Sequence, residues 1–377
     1  MKKILIPIAI IIVVVLGIIF AVIQTKKQPE EIKIGAILIL TGPDAKAGQS
    51  AKRGIDMAVN EVNERGGIND KSVKIIYEDD QGDPSKAVSV LMKLINVDKV
   101  PAIIGPMWSS SVLAVAPMAE KRRVVILTPT ASSPKITDAG DFIFRNTYSD
   151  VIEGQKMAEY AYNVLGYKRV ALLYNNSDYG VGLKDSFKSR FIEIGGKITG
   201  EETYDPKATD FRSQIGKLNI DKPDAIYLAG YNEMGLVLRQ AREQGIKIPF
   251  LSCIMFEIGD VIKVAGNAAE GVIYAYPSYD PESGSKITRE FAQRYMKIYG
   301  EFPDPEAAFS YDAAGILLAV IRKVGAESLK IKESLYQIKD YEGVTGKTGF
   351  DSNGDVVKSI GFKKVAGGKP EWITYAY

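Results

Sequence analysis

From Ile32 onward the chain repeats one phrase: a short apolar run, a turn, a segment with helical apolar spacing, and a glycine that ends it. Ile32–Leu40 is apolar enough to be buried on both faces, as strands of a parallel sheet are. Gly48–Arg65 carries Ala51, Ile55, Ala58, Val59 and Val62 on one helical face and stops at Gly66-Gly67. Val73–Tyr77 is the next strand. Asp83-Pro84 then opens a helix as N-cap and first-turn proline, with Ala87, Val90, Leu91 and Leu94 as its apolar positions. Val100–Ile104, Val124–Leu127 and Phe142–Arg145 continue the series. The phrase restarts with helix Val151–Leu165 and strand Arg169–Tyr174. It runs on through helix Tyr179–Ile194, extended Lys197–Tyr204, helix Phe211–Leu218, strand Ala225–Ala229, helix Met234–Gln244 and strand Phe250–Ser252, with stops at Gly166, Gly195-Gly196 and Gly245. Alternation of this kind leaves few topologies besides a doubly wound α/β sheet with helices on both faces. Two runs of it imply two similar lobes, and 377 residues exceed what one core usually serves.

The tail breaks the pattern. After strand Gly271–Tyr276 come three helical segments, Ser285–Tyr299, Pro305–Val324 and Ser328–Lys339, and then an extended, glycine-punctuated end (Val356–Val365, Trp372–Tyr375). The economical place for these helices is back on the first lobe, so the chain is expected to cross between lobes several times and form a hinge.

The stretch from Ile104 to Pro134 is where a ligand would sit. Val100–Ile104 ends in Gly105-Pro106, and Ser109, Ser110 and Ser111 precede Val112, Val115, Ala116 and Ala119 at helical spacing. Serines there can cap a helix, whose N-terminal amides and dipole favour an anion. Val124–Leu127 leads into a second hydroxyl-rich loop, Thr128–Pro134. Loops beyond the carboxyl ends of strands are the binding positions of open α/β sheets. The plainer alternative is that Ser, Thr and Pro only fill turns.

Composition removes several function classes. The chain has no histidine and one cysteine, Cys253, which excludes a Ser-His-Asp triad, a Cys-His pair, a conventional zinc site and any intrachain disulfide. A net charge of +2 without a basic run does not suit a nucleic-acid groove. Glu78-Asp79-Asp80 with Asp83 lacks the spacing of a calcium loop, and Asp83 is accounted for as a cap, so no metal is expected. Gly180-x-Gly182 is half a dinucleotide fingerprint with the third glycine missing. No cofactor is expected. At the start, Lys2-Lys3 precede the uncharged run Ile4–Ile23, and Lys26-Lys27 follow it. Such a run spans a bilayer as a helix, so residues 1–27 read as an uncleaved N-terminal transmembrane anchor with the body outside; a cleaved signal is the alternative.

Eight segments then match a known family in order: IKIGAILILTG, GIDMAVNEVNERGGI (54 to 68), IIYEDDQGDPSKAV (75 to 88), IIGPMWSSS, LTPTASSP, NNSDYGVG (175 to 182), AGYNEMGLVLRQAR (229 to 242) and AGNAAEGV (265 to 272). From Ile32 to its end the chain resembles the type I periplasmic binding proteins of ABC transporters, most closely the branched-chain amino-acid (Leu/Ile/Val) group. The resemblance implies two doubly wound parallel-sheet lobes joined by three crossings, with lobe 1 at 32–148 plus 279–345 and lobe 2 at 149–278 plus 346–377. It implies no enzyme but an extracytoplasmic receptor that closes on a small amino acid and delivers it to an ABC permease in the membrane.

By the same resemblance Ser109, with Ser110 beside it, falls where a serine holds the ligand carboxylate. Thr130, Ala131 and Ser132 fall on the loop that grips the amino-acid head group, and Tyr179 where a tyrosine of the second lobe reaches the ligand. Trp108 is a candidate wall of the cleft; in some relatives its position and that of Gln81 hold a disulfide, absent here. The family usually pairs the ligand ammonium with an acidic residue after the next strand. Glu257 is the candidate, offset by a few residues, with Tyr231 and Glu233 as alternatives. Ala47 stands where an aromatic often covers the side-chain pocket. The alternatives are a ligand-sensing ectodomain of a signalling complex, a receptor for an amide, aromatic or other small carboxylate, and an enzyme on the same scaffold.

Overall fold

The computed structural model describes residues 31–257, 260–277, 279–282 and 284–374. The apolar run read as a membrane anchor lies outside them; among the described residues no helix is long and apolar enough to cross a membrane.

The first run of units forms a five-stranded, wholly parallel sheet of β1 (Ile32–Leu38), β2 (Val73–Asp79), β3 (Ala102–Ile104), β4 (Val125–Thr128) and β5 (Ile143–Arg145), in the order β2-β1-β3-β4-β5. Helices α1 (Ala45–Glu64), α2 (Pro84–Lys93) and α3 (Ser109–Arg122) connect its strands. As the sequence suggests, Asp83 caps α2, accepting from the Ser85 and Lys86 amides with Pro84 at the first position. The acidic stretch around it is spent in turns: Asp79 accepts from the Leu40 and Gln81 amides and Asp80 from that of Gly82.

The second run builds a seven-stranded sheet: β6 (Arg169–Asn175), β7 (Lys197–Tyr204), β8 (Ala225–Ala229), β9 (Phe250–Ser252) and β10 (Ile273–Pro277) are parallel, with α4 (Asp150–Glu159), α5 (Asp178–Glu193), α6 (Arg212–Asn219), α7 (Met234–Glu243) and α8 (Val261–Ala265). The two doubly wound parallel sheets expected from the sequence are present. The extended tail supplies antiparallel strands that finish the second sheet, so its edge is mixed.

The tail helices α9 (Lys286–Tyr299), α10 (Pro305–Val324) and α11 (Ser328–Tyr336) return to the first lobe, where α10 lies along α1. The approach is backbone to backbone: a Cβ on Gly54 would lie 2.1 Å from the Ala307 carbonyl oxygen. After a short hairpin, β11 (Tyr341–Gly343) and β12 (Gly346–Thr348), the chain crosses back to form β13 (Ile360–Ala366) and β14 (Lys369–Thr374). It thus passes between the sheets three times: from β5 to α4, from β10 to α9, and from β12 to β13. The wholly buried Arg145 ties the first and third crossings together, donating to the Ser132 and Ser133 carbonyls, the Thr137 hydroxyl and the Asp355 carboxylate.

Candidate functional site

In each sheet the strand order reverses direction beside the first strand of its run, β1 or β6. Loops beyond the carboxyl ends of strands meet there in a crevice. The loop after β3 ends at Trp108, which is extended (φ −92°, ψ 142°) and serves as the N-cap of α3 without a side-chain bond. The serines are therefore the first turn of the helix, one step inside the capping position expected from sequence. The first-turn amides have no side-chain cap and remain a site for a carboxylate. The Ser109 hydroxyl accepts from the Ser133 amide at 3.1 Å and so ties the two serine loops to each other. The Thr128 hydroxyl donates to the Pro106 carbonyl and accepts from the Ala131 amide, and the Thr130 hydroxyl donates to the Met107 carbonyl.

The second lobe contributes aromatics. Ser177 caps α5, which places Tyr179 in its first turn, and Tyr231 follows β8. Tyr231 stacks on Trp108 of the first lobe (centroids 4.8 Å, planes 18° apart) and on Tyr179 (5.2 Å, 18°). This stack of rings joins the lobes. It closes one side of a cavity of about 30 Å³ that Ser109, Thr130, Ala131 and Ser132 also line, with Tyr148 and Thr147 from the first crossing. Ile254 and Met255 after β9, and Pro305, Glu306 and Phe309 of α10, complete the wall.

Seven of the expected positions thus meet here: Trp108, Ser109, Thr130, Ala131, Ser132, Tyr179 and Tyr231. The others lie elsewhere. Ser110 is on the rim, where its hydroxyl donates to the Asp178 carboxylate of the second lobe at 3.0 Å. The same carboxylate pairs with Lys135, and Asn232 reaches Asp44 at 2.5 Å, so the rim is clasped by polar contacts between lobes. Glu257 is outside the cavity. The short turn after β9 directs Ile254 and Met255 inward and leaves Glu257 against the β10–β13 pair, bonded to Lys363 at 2.8 Å and to the Tyr274 hydroxyl at 2.6 Å. Glu233 accepts from the Tyr231 amide and from Asn175, bracing the loop rather than lining the cavity. Ala47 is buried within α1 and is not part of the wall.

The acid that does face the cavity went unnoticed in the sequence. Asp304-Pro305-Glu306 reads as an ordinary helix start, and the Asp304 carboxylate does cap α10 by accepting from the Ala307 amide. Glu306, one residue on from the proline, is only 1% exposed, and its Oε2 has no hydrogen-bond partner. Burial, with Asp304 adding repulsion, pushes its carboxyl well above the usual carboxylate range. Beneath the opposite wall, burial pushes Asp150 up to about 7 against the pull of the Ser132 hydroxyl and Arg145. Glu153, raised by burial and by Asp150, accepts from the Ile254 amide at 2.9 Å. The Tyr179 hydroxyl is buried without a hydrogen-bond partner. Burial pushes the Cys253 thiol up to about 12, which leaves it a poor nucleophile.

A family model described as periplasmic binding protein matches residues 31–369. The leucine-, isoleucine-, valine-, threonine- and alanine-binding protein of Pseudomonas aeruginosa is 31% identical over 333 residues, covering 87% of each chain. The branched-chain amino acid transporter substrate binding protein of Streptococcus pneumoniae, solved with isoleucine, superposes with a TM-score of 0.84 at 30% identity, over 91% of this chain and 98% of that one. A solute binding protein of an ABC transporter from Rhodopseudomonas palustris, solved with 3,4-dihydroxybenzoic acid, gives 0.81 at 25% identity, over 92% and 96%.

Proposed function

The chain belongs to the periplasmic binding protein family, and from that premise we propose that it is the extracytoplasmic receptor of an ABC transporter, capturing a small amino acid between its lobes. The observation that carries this reading is the composition of the cavity between the lobes. Hydroxyls and an uncapped helix start from the first lobe face tyrosines from the second across it. The ligand carboxylate lies at the start of α3 with Ser109. The head group is held by the Thr130–Ser132 loop, and Tyr179 and Tyr231 close over it. A ligand that touches both lobes favours the closed state by the contacts it makes only there. Capture of this kind requires no covalent step. An ABC permease is the partner that receives the solute.

The lobes are proposed as 32–148 with 279–345 and 149–278 with 346–377, moving about the three crossings. Ile4–Ile23 is proposed as the anchor that tethers the receptor to the membrane. A second reading, an aromatic carboxylate as ligand, draws on the stacked rings of Trp108, Tyr231 and Tyr179 and on the displacement of Glu257 from the cavity.

A thermal-shift screen against amino acids, amides and aromatic carboxylates tests the proposal. A micromolar binder at millimolar concentration adds about 4 kcal/mol to the folded state. A clear shift with an aliphatic amino acid is expected. A shift with benzoates alone would move the assignment to the second reading, and no shift with any of them would remove it.

A further inference from the structure

We infer that Glu306 is the counter-ion for a cationic group on the ligand, which makes an ammonium-bearing solute, rather than a bare carboxylate, the occupant of this cleft. The inference rests on the receptor reading and narrows its ligand class. Among the residues lining the cavity Glu306 is the one with a formally charged side chain, and no lysine or arginine faces it there. It is 1% exposed, and its Oε2 has no partner. An unpaired buried carboxyl is costly, and a role in starting α10 does not require one, because Asp304 already caps that helix. The one cation shown to act on Glu306, Lys46 of α1, pairs with Asp260 at 3.6 Å and does not line the cavity. The site is also fixed in place, since the next residue, Ala307, packs its carbonyl against Gly54 of α1. A ligand ammonium is the group that completes it.

The charge balance gives the inference a second signature. The groups acting on Glu306 are Asp304 on its own helix, its own backbone amide, Lys46 of α1 and Glu257 after β9. The Tyr276 phenol of β10 also feels its charge, and Asp150 and Glu153 of α4 titrate behind the far wall. Burial dominates that balance and holds the proton on Glu306 in the empty cleft. A bound ammonium favours the ionised form, so binding releases the Glu306 proton. Below the pH at which the empty cleft loses that proton, affinity rises about tenfold per unit of pH.

Isothermal titration of the full chain at pH 6, in two buffers of different ionisation enthalpy, reads both signatures. The probes are leucine, alanine and phenylalanine, each beside its counterpart without the amino group: 4-methylpentanoate, propanoate and 3-phenylpropanoate. Expected are binding of at least one amino acid with release of close to one proton, at least 100-fold weaker binding of its counterpart, and a comparable loss with no proton release in Glu306→Gln. Equal affinity for an amino acid and its counterpart, or unchanged affinity and proton release in Glu306→Gln, would overturn the inference and leave the receptor standing. The comparison within wild type does not depend on how the variant folds. If none of the six probes binds, the amino-acid receptor reading fails as well.

Discussion

Ser109 and Tyr179 face the same cavity with different obligations. The Ser109 hydroxyl already accepts from the Ser133 amide, so Ser109→Ala removes a loop tie as well as a ligand contact. Tyr179→Phe removes a hydroxyl that has no partner in the empty protein. Each substitution is expected to weaken ligand binding by about 1–3 kcal/mol, and only Ser109→Ala should also lower the melting temperature. Unchanged affinity in both would place the ligand elsewhere. Glu306 carries a separate expectation in the empty protein. Its folded-state carboxyl holds a proton more tightly than the unfolded one, so it costs stability as pH rises past the ordinary carboxylate range. Glu306→Gln should therefore raise stability to urea at pH 7 and change it little at pH 4. Destabilisation at pH 7 would mean that an ionised Glu306 already has a partner. The hydroxyl-rich stretches after β3 and β4 were legible because the strands before them have plain periods, whereas Tyr179 and Tyr231 were expected only from the family resemblance. Glu306 was not, because Asp-Pro-Glu is also how an unremarkable helix begins. Glu257 was misplaced because one short turn decides which side of β9 it faces.

At the scale of elements, two contacts hold the site's parts in register. Helix α10 carries Glu306 and Phe309 into the cavity only because it lies on α1 through Gly54. Gly54→Ala forces a Cβ against a backbone carbonyl, and is expected to cost about 1–3 kcal/mol of stability. Since the strain displaces α10, affinity should fall with it; a destabilised variant with unchanged affinity would show that α10 does not position the ligand. The second contact is the Arg145–Asp355 pair. Asp355→Ala leaves a buried guanidinium without its counter-ion, and should cost about 3–5 kcal/mol by urea titration. The parallel strands and their helices could be read from period and glycine stops. The antiparallel direction of the second sheet's edge could not, because the resemblance places the tail in the second lobe without fixing the direction in which its strands pair.

On the scale of the whole molecule, the lobes meet through the Trp108–Tyr231 stack and through the clasp of Asp178 with Ser110 and Lys135. The stack lies in the cavity wall and the clasp at its rim, while Arg145 ties the first and third crossings together. Such an arrangement opens by rotation about the crossings, and a ligand that bridges the walls opposes the opening. Small-angle X-ray scattering with and without a saturating amino acid from the thermal screen tests this most directly. The account predicts a smaller radius of gyration with ligand, and a diminished change in Tyr179→Phe at the same ligand concentration. A ligand that binds tightly while leaving the scattering profile unchanged would contradict capture by closure between the lobes.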